Sequence, residues 1–276
     1  MAPSGPLISA AELAAHDPAP TLLDVRYRMG GPGGADEFRA GHVPGAVYVD
    51  LDTALAGPPG SGGRHPLPDP GVFETAMRRA GVCDDHPVVV YDDWQGHAAA
   101  RARWLLRHHG HAHVRLLDGG WGAWRAAGLP VAKGDEPHRA GDFRVRPGAT
   151  PVVEAGEVLA VAADGVLVDA RAPERFAGET EPIDPVAGHI PGAVNVPTGR
   201  NLRDDGRFRS AAELRSVYAE VGIGPGTRVA AYCGSGVTAA HDLLALEIIG
   251  IEAALYPGSW SGWIADPTRP VTSRGG

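Results

Sequence analysis

Cysteine is scarce in this chain: Cys83 and Cys233 are the only two in 276 residues. So few exclude a disulfide scaffold and suit a reducing compartment, where a thiol stays free for chemistry. No apolar run approaches the length of a membrane span. The N-terminus MAPSGPLISA lacks the basic and apolar regions of an export signal, so a soluble, cytoplasmic protein with no membrane partner is expected. A basic surplus is missing as well: net charge is −8, with 13 basic against 16 acidic residues over 1–139 and 12 against 17 over 140–276. With no cationic half to neutralise phosphates, nucleic acid is not expected as a partner. The glycine-rich pieces GGPGG (30–34) and GPPGSGG (57–63) lack the following Lys-Ser/Thr of a phosphate-binding loop and read as flexible loops. The run RHHGHAHV holds His108, His109, His111 and His113 with no Cys or carboxylate at metal-ligand spacing. It reads as a solvated helix end and turn, and no metal site is expected.

What the chain does contain is a copy of itself. LLDV at 22–25 recurs as LVDA at 167–170, and GHVPGAVYV at 41–49 recurs as GHIPGAVNV at 188–196. VVVYDDWQGHAAA at 88–100 matches VAAYCGSGVTAAH at 229–241, and GGWGAW at 119–124 matches GSWSGW at 258–263. Matched blocks in one order, present twice only, indicate a duplicated domain and not a solenoid. Each copy alternates short apolar runs with helical patterns, which predicts α/β domains built on a parallel sheet covered by helices. FETAMRRAGV (73–82) and AELRSVYAEVGI (212–223) carry apolar residues at helical spacing and stop at Gly81 and Gly222. The segment 133–151 mixes proline, glycine and charge, so the domains are expected at 1–139 and 140–276. Trp121, Trp124, Trp260 and Trp263 follow the repeat in both copies and are assigned to packing.

The cysteine that stands out is Cys233, in AYCGSGVTAA (231–240). RVAAY reads as a strand and TAAHDLLALEIIG as a helix, so Cys233 opens the loop between them at the C-terminal edge of the sheet, where open α/β proteins bind ligands. Gly234 and Gly236 let successive N–H groups converge on the sulfur, and the helix dipole adds partial positive charge. Such a nest favours a thiolate and any anionic sulfur species built on it. The first copy has Asp92 at this position, and its DDWQGH lacks the paired glycines. That copy is expected to serve as scaffold. Cys83, in AGVCDDHP between a helix and a strand, reads as structural.

With the doubled GHxPGA signature, the paired Trp blocks and the CGSGVT loop, nearly the whole chain resembles the tandem rhodanese-like sulfurtransferases. Its loop is similar to that of the 3-mercaptopyruvate sulfurtransferases. The resemblance implies two tandem rhodanese-like domains and a ping-pong reaction. A Cys233 thiolate takes a sulfane sulfur from a small-molecule donor, becomes a persulfide, and passes the sulfur to a thiol, thioredoxin-like or cyanide acceptor. No metal or organic cofactor is implied. It also implies a relay beside the cysteine, with Ser235, His65 and Asp52 at the matching positions. The loop residues Gly234, Gly236, Val237 and Thr238 are expected to bind substrate, and Arg175 to hold the donor's carboxylate.

The sequence departs from the family at one position of note. A second carboxylate-binding arginine of the animal mercaptopyruvate enzymes falls at Asp184, and Arg200 is a candidate substitute. Arg171 reads as a structural ion-pair partner. A thiosulfate-preferring enzyme is the alternative reading, and a non-catalytic rhodanese-like binding module a remoter one, opposed by the intact loop. A phosphatase with a Cys-x5-Arg loop is disfavoured because the arginine position is Ala239.

Overall fold

In the computed structural model, which describes residues 5–273, the chain forms two compact units. One takes the residues up to Gly57, Pro68–Thr150 and Asp205–Arg207; the other takes Pro58–Leu67, Pro151–Asp204 and the chain from Phe208 onward. The main passage from one unit to the other falls between Thr150 and Pro151, with short exchanges at 58–67 and 205–207, where a single division at residue 139 was expected. A ten-residue strip from the first half of the sequence, 58–67, packs within the second unit.

The first unit contains, in chain order, strand β1 (Leu7–Ile8), helix α1 (Ala10–Ala14), β2 (Thr21–Asp24), α2 (Gly34–Ala40) and β3 (Ala46–Tyr48). A π-helical turn (Leu51–Leu55) is followed by α3 (Pro70–Arg79), β4 (Val88–Tyr91), α4 (His97–His108), β5 (Val114–Leu117) and α5 (Gly120–Ala126). Its strands pair in parallel in the order β1-β5-β4-β2-β3.

The second unit repeats the plan with α6 (Val158–Asp164), β6 (Val166–Asp169), α7 (Pro173–Phe176), β7 (Val194–Asn195) and a 3-10 turn (Thr198–Asn201). There follow α8 (Ala211–Ala219), β8 (Val229–Tyr232), α9 (Ala239–Ile248), β9 (Ala254–Leu255) and α10 (Ser259–Trp263). The order β7-β6-β8-β9 is again all parallel. Central strands β4 and β8 are buried along their whole length, as helix-covered parallel strands must be.

Local chemistry explains the helix limits. Asp69 caps α3 by accepting the Gly71 and Val72 N–H groups, with Pro70 in the first turn. Ser210 and Glu213 form a capping box on α8.

The duplicated GHxPGA signature has a packing role in both units. His42 stacks on Phe38, and His189 on Phe176, each at 3.9 Å between ring centroids. The preceding glycine carbonyl accepts from a buried arginine: Arg26 to Gly41 at 2.8 Å and Arg171 to Gly188 at 2.7 Å. Each arginine is also paired with the aspartate two residues before it, Asp24 or Asp169. The following residue's amide donates to a buried tyrosine hydroxyl, Val43 to Tyr91 and Ile190 to Tyr232, both at 3.1 Å. The structural reading of Arg171 thus holds.

Two expectations need correction. His108, His109 and His111 are buried, not solvated. His108 stacks on Trp104 at 4.8 Å, His111 Nε2 lies 3.0 Å from the Cys83 carbonyl, and burial pushes the His109 imidazole down to about 4. Local polarity misled because these rings pack as aromatic bodies: His108 and His111 set a ring nitrogen against a backbone carbonyl, and His109 packs on Phe73 at 4.9 Å. The stretch 57–63 is also built more tightly than a loose connector: Gly60 and Gly63 exchange backbone hydrogen bonds of 2.9 and 3.0 Å. At Gly63, φ is +106°, and a Cβ would stand 2.7 Å from the Gly258 carbonyl oxygen. Glycine is needed there for close packing against the start of α10.

Candidate active site

Strand β8 delivers Cys233 to the C-terminal edge of the second sheet, and the loop 233–238 leads into α9. Two backbone bonds hang this loop from the 257–261 segment: Trp260 N–H to the Cys233 carbonyl and Ser261 N–H to the Gly234 carbonyl, both 2.9 Å. The Cys233 N–H donates to Ser259 Oγ at 3.1 Å, and that hydroxyl donates on to the Tyr256 carbonyl. Ser259 has φ +52°, uncommon for a residue with a side chain; its counterpart in the first copy is Gly120, at φ +55°.

The Gly236 N–H donates to Cys233 Sγ at 3.1 Å, so the backbone does turn a donor onto the sulfur. Gly236 has φ +81°, and a Cβ would stand 2.5 Å from the Pro257 carbonyl oxygen, so the loop accepts only glycine here. Cys233 is 1% exposed. Val237 is buried beneath the loop, and Thr238 caps α9 without a side-chain hydrogen bond.

Ser235 and His65 are brought together although 170 positions separate them. His65 Nδ1 lies 2.8 Å from Ser235 Oγ, and both residues are buried. The contact exists because the strip 58–67 belongs to the second unit, anchored next door by the Arg64 N–H donating to Ser261 Oγ at 3.0 Å. Asp52 lies in the π-helical turn of the first unit.

Arg175 is in α7, and its guanidinium overlies the cysteine loop: a Cβ at Gly234 would stand 3.5 Å from Arg175 Nη1. The same position would be 3.1 Å from Arg64 Nη2. Sequence reasoning passed over Arg64, although it stands beside His65 in GGRHPLP. Asp184 explains its placement. One carboxylate oxygen accepts from Arg64 Nη1 at 2.5 Å and the other from Arg175 Nη2 at 3.1 Å. Glu181 accepts from Arg175 Nε and Nη2 and from Arg171 Nη1. Burial would raise the Glu181 carboxyl, but hydrogen bonds from Arg175 and the Asp184 amide hold it below the usual carboxylate range.

Asp184 thus fixes two guanidinium groups with one donor of each, Arg64 Nη2 and Arg175 Nη1, left facing Gly234. Arg200, the candidate substitute from sequence, instead pairs with Glu220 at 2.5 Å on the surface. It does not reach this cluster.

The corresponding loop of the first unit holds a carboxylate in place of a thiol. Asp92 is fully buried and accepts N–H groups from Trp94 (2.9 Å), Gly96 (2.8 Å) and Ala99 (2.9 Å). The lack of paired glycines does not prevent the curl, because Gln95 takes φ +56°. Burial outweighs these bonds and pushes the Asp92 carboxyl up to about 6. Cys83 is half-buried, with Sγ 3.8 Å from the Gly81 carbonyl. Among the described residues, no group of three or more His, Cys, Asp or Glu is placed to hold a metal ion, and no helix is long and apolar enough to cross a membrane.

Comparison with known proteins identifies both domains of the chain. The model of the rhodanese-like domain matches residues 9–127 and again 154–266. A putative thiosulfate sulfurtransferase, SseB of Mycobacterium tuberculosis, is 48% identical, with 96% of each chain covered. A probable 3-mercaptopyruvate sulfurtransferase of Pseudomonas aeruginosa is 45% identical over 98% of this chain and 99% of its own length. Among solved structures, SseA from Escherichia coli, described with the mechanism of 3-mercaptopyruvate sulfotransferases, superposes with a TM-score of 0.82 at 34% identity. The superposition covers 94% of this chain and all of SseA.

Proposed function

The chain belongs to the rhodanese-like family, and from that premise we propose that it is a sulfurtransferase taking its sulfur from 3-mercaptopyruvate onto Cys233. The observation that carries the reading is the pair of free guanidinium donors over Gly234, one residue from the thiol. They suit a single donor carboxylate gripped by two arginines. Arg64, Arg175 and Arg171 are matched in charge by Asp184, Glu181 and Asp169, so the grip on a carboxylate rests on the two directed donors and not on a surplus of positive charge.

In the first half-reaction the Cys233 thiolate attacks the donor's sulfur and forms an S–S bond. The donor's C–S bond breaks, its electron pair leaves as the enolate of pyruvate, and the carbon then gains a proton. The Ser235–His65 pair, 2.8 Å apart, provides a path for that proton. Asp52 is included as the group that orients His65 on the family resemblance alone. In the second half-reaction an acceptor nucleophile, a thiol, a thioredoxin-like protein or cyanide, attacks the outer sulfur of the persulfide and releases the Cys233 thiolate. The Gly236 N–H, aimed at Sγ, stabilises the anion at both ends of the cycle. Thiosulfate as preferred donor is the second reading. It is favoured by Arg64, which puts a fixed cation above the loop that the loop's own residues lack.

Steady-state kinetics of the purified protein with both donors tests the proposal. A higher kcat/KM with 3-mercaptopyruvate is expected; a higher value with thiosulfate overturns the donor assignment.

A further inference from the structure

The two copies differ most between the helix after the second strand and the GHxPGA signature. Two residues separate Phe38 from Gly41 in the first copy, whereas eleven separate Phe176 from Gly188 in the second. Both phenylalanines stack on the signature histidine, so the comparison is anchored. The longer connection of the second copy brings Glu181 onto Arg171 Nη1 at 3.4 Å and places the Val186 carbonyl on the indole N–H of Trp260 at 2.9 Å. It fills the space above a buried arginine and a tryptophan face, which stand 4.6 Å apart.

In the first unit that filling is missing. Arg26 sits 5.2 Å over the ring of half-buried Trp121, and a cavity of about 930 Å³ opens beside them. The Arg26 side chain is 3% exposed. Its Nε and Nη2 are used by Asp24 and Gly41, while Nη1 makes no hydrogen bond to the described residues. The Trp121 indole N–H likewise has no partner among them. Arg125 and Lys133, the only lysine of the sequence, line the same cavity without ion-pair partners among the described residues. Arg28 lies there too, bound to Asp93 at 2.8 Å. The acids lining the cavity are Asp93 and Glu37, and Asp24 pairs with Arg26 behind them, so the four cations stand against three carboxyl groups; Val131, Ala40 and Ala126 give the cavity an apolar wall.

We propose that this cavity of the first unit is a binding site for a small molecule bearing a carboxylate on an apolar or aromatic body. The carboxylate takes at Arg26 Nη1 the place that Glu181 holds at Arg171 Nη1, and the body lies along Trp121. The second copy supplies the chemistry of the occupant: where its own chain fills the equivalent space, it does so with a carboxylate against the guanidinium and an acceptor on the indole. The Arg26 guanidinium turns its one unused N–H toward the cavity, where a carboxylate can accept a charge-assisted hydrogen bond from it. The scaffold unit, which has no nucleophile in its loop, thereby keeps a ligand site of its own.

The test follows the six tryptophan indole N–H signals of the 15N-labelled full-length protein during titration with sodium benzoate. The neutral isostere benzamide is run in parallel, and Trp121→Phe identifies the Trp121 signal. The expected result is a saturable benzoate shift of Trp121, none with benzamide, and a still Trp260 signal, whose N–H is already bound. In Arg28→Gln/Lys133→Gln, where both changes are on exposed side chains, benzoate affinity should fall by about two- to fivefold or more. A Trp121 signal that ignores benzoate, or moves equally with benzamide, overturns the proposal, as does unchanged affinity in the double variant.

Discussion

At the scale of single residues, the two copies show what a β-strand-to-helix loop does with the group it encloses. The first wraps three N–H groups around the Asp92 carboxylate, and the second turns the Gly236 N–H onto the Cys233 sulfur. Cys233 should therefore carry the transferred sulfur. Intact mass after incubation with donor alone should show one added sulfur atom, lost in Cys233→Ser and kept in Cys83→Ser. Asp92 yields a prediction about stability. Its folded value of about 6 lies above the ordinary 3.8, so between those values the folded state binds more protons than the unfolded one. Stability from this group is then fully present at low pH and lost as pH rises through 6, by about 3 kcal/mol in all. Asp92→Asn should lack that fall, so its urea midpoint should change more favourably from pH 4 to pH 7 than that of the wild type. Donor turnover should survive the change, since Asp92 belongs to the unit without a nucleophile; a loss as deep as that of Cys233→Ser would mean that the first loop is not idle.

At the scale of elements, the active loop is held by what lies behind it. Ser259 accepts the buried Cys233 N–H from a backbone conformation that most side chains avoid, a local strain of the kind that persists only when surroundings over-determine it. Ser259→Ala leaves that N–H without its acceptor and should cost about 1–3 kcal/mol, measurable by denaturant unfolding. The Ser235–His65 pair joins the loop to the 58–67 strip, and its proposed work concerns only a donor that leaves as a carbanion. His65→Ala or Ser235→Ala should lower 3-mercaptopyruvate turnover by roughly 10²–10⁴-fold and thiosulfate turnover far less, because sulfite needs no proton at carbon. Asp52→Asn should give a milder version. Equal losses with both donors would assign these residues to pocket shape.

At the scale of the whole molecule, the unit that holds Cys233 is not a contiguous half of the sequence. Arg64 and His65 reach it from the first half, so a division of the chain at residue 139 parts Cys233 from the two groups nearest its loop. Arg64 also answers the departure at Asp184. A carboxylate where the animal mercaptopyruvate enzymes have an arginine does not remove the second cation; it holds one arriving from elsewhere in the chain. Arg64→Gln should raise the KM for 3-mercaptopyruvate by about ten- to hundredfold, the value of a hydrogen bond between charged groups, with a smaller effect on kcat. Asp184→Asn should act in the same direction by loosening both guanidinium groups. An unchanged KM in Arg64→Gln would remove it from the clamp.

The duplication, the parallel α/β plan and the place of Cys233 in a loop between a strand and a helix were legible in the sequence because each rests on local pattern. Strand and helix periods, loop glycines and a cysteine between them are set by neighbours along the chain. The position of Arg175 came through family resemblance, which reads spacing within one motif. Arg64 and the burial of the histidine run were decided only in three dimensions, as was the nest around Asp92. An ion pair such as Arg64–Asp184 joins residues 120 positions apart, and nothing in either local sequence encodes it. A histidine looks the same in a string whether it meets water or a carbonyl, and a carboxylate can complete a nest without the expected glycines when Gln95 accepts a left-handed conformation. Which groups share a site is fixed by packing, and packing is a property of the folded chain.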